Sequence, residues 1–164
     1  MNPKTALVSV HDCSIALNGA YIYVIYAPQF NCIYVGQTRG NYGAMGRLAQ
    51  HISDSYGNTF KQKVQRYFDL EEPILGHLEF AAYRLPERQE FLSAATDFRE
   101  AIEYLIQKNL ILMTSRIQMK VGCVSRVKSN AYQKQDFIKA EGEIASEFFF
   151  QWLSSIVDKT QNSL

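Results

Sequence analysis

The stretch GAYIYVIYAPQFNCIYVG, residues 19–36, constrains the fold of this chain more than any other. Residues 19–26 are dense in Tyr, Ile and Val, whose side chains suit a pleated surface. Pro28 and Asn31 in the following APQFN supply turn chemistry. A second β-rich run from Cys32 to Val35 ends at Gly36. The pattern is that of a hairpin, with tyrosines beside the glycines at its two ends, Tyr21 near Gly19 and Tyr34 near Gly36.

The rest of the chain supplies helices to cover such a hairpin. TRGNYGAMG reads as a glycine-rich loop. In GAMGRLAQHIS, Ala44, Leu48 and Ile52 recur at four residues with Met45 on the same side, which predicts a helix. Arg47 and His51, four apart, share one of its faces. Phe60, Val64 and Phe68 predict a second helix over 60–70, whose body carries Lys61, Lys63 and Arg66. EEPILG breaks it at Pro73 and Gly76. HLEFAAYRL reads as a third strand, ended by Pro86. From Glu87 to Leu112 the pattern is helical, with room for a break at Ser93–Thr96. RIQMKVGCVSRV reads as one more strand or an irregular segment. A closing helix, started or interrupted near Gly142, carries an apolar stripe of Phe149, Trp152, Leu153 and Ile156.

These elements predict an α/β (α+β) fold, a small three-stranded, mainly antiparallel sheet flanked by helices with a C-terminal helical extension. Residues 1–115 form the expected main domain and 116–164 an extension packed on it or continuous with it. The 164 residues, 47% hydrophobic and 20% charged, can bury a core without staples. Cys13, Cys32 and Cys123 form no CxxC pair or metal-ligand spacing, so all three are expected as small buried hydrophobes in a reducing compartment. The N-terminal residues lack the apolar run of a signal peptide, and no run has the length of a membrane span. The expected setting is cytoplasmic or nucleoid-associated. A net charge of +1 means that any nucleic-acid contact needs local basic clusters or a partner subunit.

The ordered set GAY, YVG, Arg47, His51 and a later glutamate resembles the GIY-YIG nuclease superfamily. The resemblance covers roughly residues 19–112 and is nearest, in size and in Arg-x-x-x-His, to the compact restriction-enzyme members. It implies a divalent-metal-dependent endonuclease that hydrolyses DNA, with Mg²⁺ or Mn²⁺ as cofactor. It implies Tyr21, Tyr34, Arg47, His51 and Glu103 as catalytic residues and Glu103 as metal ligand. The hairpin gap from Tyr21 to Tyr34 is slightly long for the family. The chemistry suits these residue types. A single carboxylate can hold Mg²⁺, which keeps several waters. The arginine fork matches phosphate oxygens and stays charged. A tyrosine becomes a usable base only when cations lower its pKa, the role expected of Tyr21 or Tyr34. His51 shares that role or orients the water.

Glu100 is the alternative metal ligand. Phe98, Ile102, Leu105 and Ile106 gather into one apolar arc, with Glu103 at its edge and Glu100 nearly opposite, toward solvent, which favours Glu103. Tyr23 and Tyr26 read as packing residues, although Tyr23 shares a strand face with Tyr21. His11 and His77 have no partner by spacing. GNYGAMG lacks the spacing of a phosphate-binding loop. A fold without cleavage is the competing function, as a nucleic-acid-binding or regulatory protein or a subunit of a larger nuclease complex. Cutting both strands of a duplex needs two sites or two visits, so a homodimer through the C-terminal aromatic helix is also expected.

Overall fold

The computed structural model describes residues 11–53, 59–71 and 76–161. The break expected at Pro73 and the N-terminal segment 1–10 lie outside the described residues. The hairpin consists of β1 (Gly19–Ala27) and β2 (Cys32–Gly40). A 3₁₀ turn at Pro28–Phe30 joins them, closed by Asn31 in the left-handed conformation at φ 46°. Asparagine tolerates that region because its short amide can bond locally. Here the amide accepts from the Tyr26 hydroxyl and donates to the Lys120 carbonyl.

Helices α1 (Gly43–Ile52) and α2 (Thr59–Phe68) follow, then β3 (Glu79–Arg84) and a short α3 (Gln89–Leu92). After the expected break come α4 (Asp97–Arg116), β4 (Gly122–Cys123) and α5 (Asp136–Gln161). The architecture is α+β, with a mixed four-stranded sheet in the order β3-β1-β2-β4. β1 runs antiparallel to both β2 and β3, whereas β4 runs parallel to β2. The expected count of three strands therefore misses one. β4 has only two residues, too few for an alternation pattern, and exists because Gly122 N–H and Val124 N–H reach the Asn31 and Ile33 carbonyls.

β1 is buried on both faces, which explains its unbroken apolar run. Ala20, Ile22, Val24 and Tyr26 pack on Ile102, Ile106 and Leu110 of α4 and Phe149 and Leu153 of α5. Tyr23, Ile25 and Ala27 face the other way, toward Phe60 and Val64 of α2. Further sequence expectations need correction. Cys13 is exposed and Cys123 only partly buried, so of the three cysteines only Cys32 is a buried hydrophobe. Thr38, Arg39 and Gly40 belong to β2 rather than to a loop, because their partners Tyr21, Ala20 and Gly19 continue the ladder. α5 is continuous through Gly142, and a Cβ there would lie 3.0 Å from Leu105 Cδ1. That glycine lets two helices approach rather than ending one.

Candidate active site

The site assembles on the sheet face that α1 and α2 cover, and Tyr23 is its hub. Its ring stacks on Tyr34, centroids 6.3 Å apart, and on Phe80, 5.8 Å apart. It lies across Gly36, its register partner on β2. A Cβ on Gly36 would stand 2.4 Å from the Tyr23 hydroxyl oxygen and 2.5 Å from Cζ. The glycine of YVG is thus the seat of an aromatic ring, a close approach that no other residue permits.

Arg47 and His51 are one turn apart on α1, so both reach this hydroxyl. His51 is fully buried, and its Nδ1 accepts from the Phe60 N–H at 3.3 Å. An N–H only donates, so Nδ1 carries no proton and His51 is the neutral Nε2–H tautomer. Nε2 then donates to the Tyr23 hydroxyl at 2.8 Å. Arg47 Nε donates to the same oxygen at 3.3 Å, and its terminal nitrogens donate to Gln50 Oε1 at 2.6 Å and Thr59 Oγ1 at 3.5 Å. The Tyr23 oxygen therefore accepts from two N–H donors, a geometry that suits a phenolate.

Burial and charge set the protonation states. His51 is pushed down to about 3, first by burial and then by Arg47. Tyr23 is raised by burial and by Tyr34, against which the Arg47 hydrogen bond and charge pull down. Tyr34 is raised by burial, with Thr59 and Arg47 among the opposing partners. Glu103 is held up at about 8 by burial and by neighbouring Glu100, while Arg47 lowers it. These mutual effects put Tyr23, Tyr34, Arg47 and Glu103 in one electrostatic field. Glu103 reaches it because α4 packs beside β2. Its Oε1 also accepts from Gln107 Nε2 at 3.2 Å.

Tyr21, expected in this set, is engaged elsewhere. It shares the sheet face of Tyr23, but its hydroxyl donates to the Ser14 and Leu17 carbonyls at 2.9 and 3.0 Å and is 1% exposed as a residue. It ties a short 3₁₀ turn, Cys13–Ala16, to the sheet. Tyr23, assigned to packing from sequence, holds the position expected of Tyr21. The signal was its two-residue offset on the same face. Glu100, expected in solvent, is half-buried and accepts from Thr96 Oγ1 at 2.7 Å. Thr59 and Gln107 carried no sequence signal at all.

No family model, no curated protein and no solved structure matches the chain.

Around the corner from Tyr23 the site opens into a cleft of about 500 Å³, lined by Gln37, Arg39, Arg47, Gln50, Thr96 and Arg99 among others. Arg99 is 3% exposed, and burial, then the charge of Arg39, lowers its pKa. Its Nε donates to Gln37 Oε1 at 2.8 Å and its Nη1 to the Phe91 and Ser93 carbonyls at 2.6 and 2.8 Å. Among the described residues no group of three or more His, Cys, Asp and Glu side chains could hold a metal ion. The donor set of the site is one carboxylate with tyrosine hydroxyls close by. That set fits a hard cation that retains its waters, such as Mg²⁺ or Mn²⁺, and does not fit a closed zinc site.

Proposed function

We propose that this chain is a GIY-YIG-type, divalent-metal-dependent endonuclease that hydrolyses phosphodiester bonds in DNA, with Tyr23 in the role first expected of Tyr21. The observation that carries this reading is the Tyr23 hydroxyl held between His51 Nε2 and Arg47 Nε, in the field of Tyr34 and Glu103. Reading the first signature two residues later, at Tyr21-Ile22-Tyr23, also shortens the hairpin gap that was long for the family.

In the proposed reaction Arg47 binds the phosphate and offsets charge gained on its oxygens. Tyr23, whose phenol burial keeps protonated at rest, first gives that proton to solvent, and the phenolate, held by His51 Nε2–H and Arg47 Nε–H, then takes a proton from the attacking water. The water oxygen bonds to phosphorus as the P–O bond to the leaving strand breaks, and the departing oxygen takes its proton from solvent. His51 donates throughout and does not change protonation, because its pKa lies far below neutral. Glu103 would hold the Mg²⁺ or Mn²⁺ ion, which when bound supplies Lewis-acid stabilisation of the phosphate. Its positive charge would also favour ionisation of Glu103 and Tyr23. A second reading, a binding or regulatory protein without cleavage, draws on the burial that keeps the Tyr23 phenol protonated. We also place a homodimer here as a proposal. Phe149 and Leu153 are spent on the core, which leaves Ile144 and Phe148, 57% and 42% exposed, as the apolar surface of α5.

Plasmid nicking with Mg²⁺ or EDTA tests the reading. Tyr23→Phe and Glu103→Gln each lower the rate by about 10²-fold or more, by analogy with loss of an electrostatic stabiliser. Glu100→Gln stays near wild type. A wild type that cleaves no DNA with either cation, or a Tyr23→Phe variant of full activity, refutes it.

A further inference from the structure

We infer that the arginine-lined cleft beside Tyr23 is a second phosphate subsite, which grips the DNA backbone next to the phosphate held by Arg47. The choice of DNA rests on the nuclease reading, whereas the anion site rests on the cleft itself. Three guanidinium groups, Arg39, Arg47 and Arg99, line it, and no carboxylate does. Arg39 and Arg99 are close enough to repel each other. Arg99 is buried beside the exposed charge of Arg39, and a buried cation costs free energy unless an anion offsets it.

The buried member of the group is built rather than incidental. Three of its hydrogen bonds fix Arg99 between the end of β2 and the α3–α4 corner. All the acceptors bonded to it are neutral, and the neighbouring Glu100 carboxylate, itself bonded to Thr96, offsets only part of the cost of its charge. Its Nη2 has no protein partner among them. Arg99 also holds Gln37 by its amide oxygen, which leaves the amide N–H groups of this cleft-lining residue as donors. Thr96 gives its hydroxyl proton to Glu100, and Gln50 is tied to Arg47. A planar fork and an amide are donors that phosphate oxygens use. A near-neutral protein thus acquires the local basic cluster that a polyanion needs.

The test is binding of a fluorescein-labelled 20-base-pair DNA duplex, followed by anisotropy in EDTA across a salt series. Arg39 is exposed, so Arg39→Ala leaves thermal stability unchanged and serves as the primary variant. Its affinity falls about fivefold at 0.15 M salt, and the slope of log Kd against log salt drops by about one. The loss is equal on two duplexes of unrelated sequence, because phosphates carry no sequence information. Arg99→Lys keeps the charge, lacks the fork and also weakens binding. Wild-type affinity and slope in Arg39→Ala overturn the subsite, as does a wild type that binds neither duplex. Glu103→Gln separates the two ideas, since it abolishes cleavage and keeps the duplex bound. If the wild type cleaves nothing while Arg39→Ala still loses affinity, the nuclease reading fails and the subsite stands.

Discussion

Replacing Gly36 by Ala should disable the site without removing any of its polar groups. The added Cβ would stand 2.4 Å from the Tyr23 hydroxyl oxygen, 2.5 Å from Cζ and 2.9 Å from Cε2. Ordinary contact needs about 3.4 Å, so the ring has to retreat by about 1 Å or the strands must part. That retreat takes the hydroxyl beyond hydrogen-bond reach of His51 Nε2, now at 2.8 Å. Overpacking costs about 1–3 kcal/mol. Leaving the buried imidazole N–H unpaired costs about 1–3 kcal/mol more. At about 2–4 °C per kcal/mol for a domain of this size, Tm drops by roughly 4–24 °C. The decisive assay is a double-mutant cycle by thermal or urea unfolding. In a Tyr23→Val background the colliding ring is gone, so Gly36→Ala should cost under about 1 kcal/mol, which gives a coupling of about 1.5 kcal/mol or more. Equal cost in both backgrounds, or a wild-type Tm for Gly36→Ala alone, would refute the packing argument.

Three further outcomes are expected. The folded pKa of Glu103, raised to about 8, means that the native state binds more protons than the unfolded state between about pH 4.5 and 8. Stability is lost as pH rises through that window, so Glu103→Gln raises Tm at pH 8 and hardly changes it at pH 4.5, while Mg²⁺ raises Tm at pH 8 only with Glu103 present. His51 has the opposite sign: its folded pKa of about 3 makes the unfolded state the better proton binder, so stability present above pH 6.5 is lost as pH falls from 6.5 toward 3. Calorimetry across that range shows a shallower acid decline in His51→Gln, and an unchanged decline refutes the assignment. Tyr21→Phe removes the bond to the Ser14 and Leu17 carbonyls, costs about 0.5–1.5 kcal/mol in unfolding assays and leaves duplex cleavage within a few-fold of wild type. Loss of cleavage in a stable Tyr21→Phe protein would return the catalytic role to Tyr21.

Local pattern determined much of this protein. The tyrosine- and valine-rich runs around Pro28 and Asn31 encode the hairpin, because β-branched and aromatic side chains and turn residues act over a few positions. The four-residue spacing of Arg47 and His51 places both on one helix face without any tertiary information. The apolar arc of α4 put Glu103 at the edge of the packed face for the same reason, and its carboxyl does enter the field of Tyr23 and Tyr34. Tertiary structure decided what depends on distant segments meeting. Tyr21 and Tyr23 have the same face, the same strand and the same chemistry. Only the arrival of Ser14 and Leu17 over one ring, and of His51 and Arg47 over the other, assigns them different work. Arg99 looks like a solvated helix charge in one dimension. It becomes the buried floor of a cleft because Gln37, 62 residues away, and two carbonyls at the α3–α4 corner fold around it. β4 and the close α4–α5 contact at Gly142 arise in the same way, since a two-residue pairing and a missing side chain have no period and acquire meaning only from what packs against them.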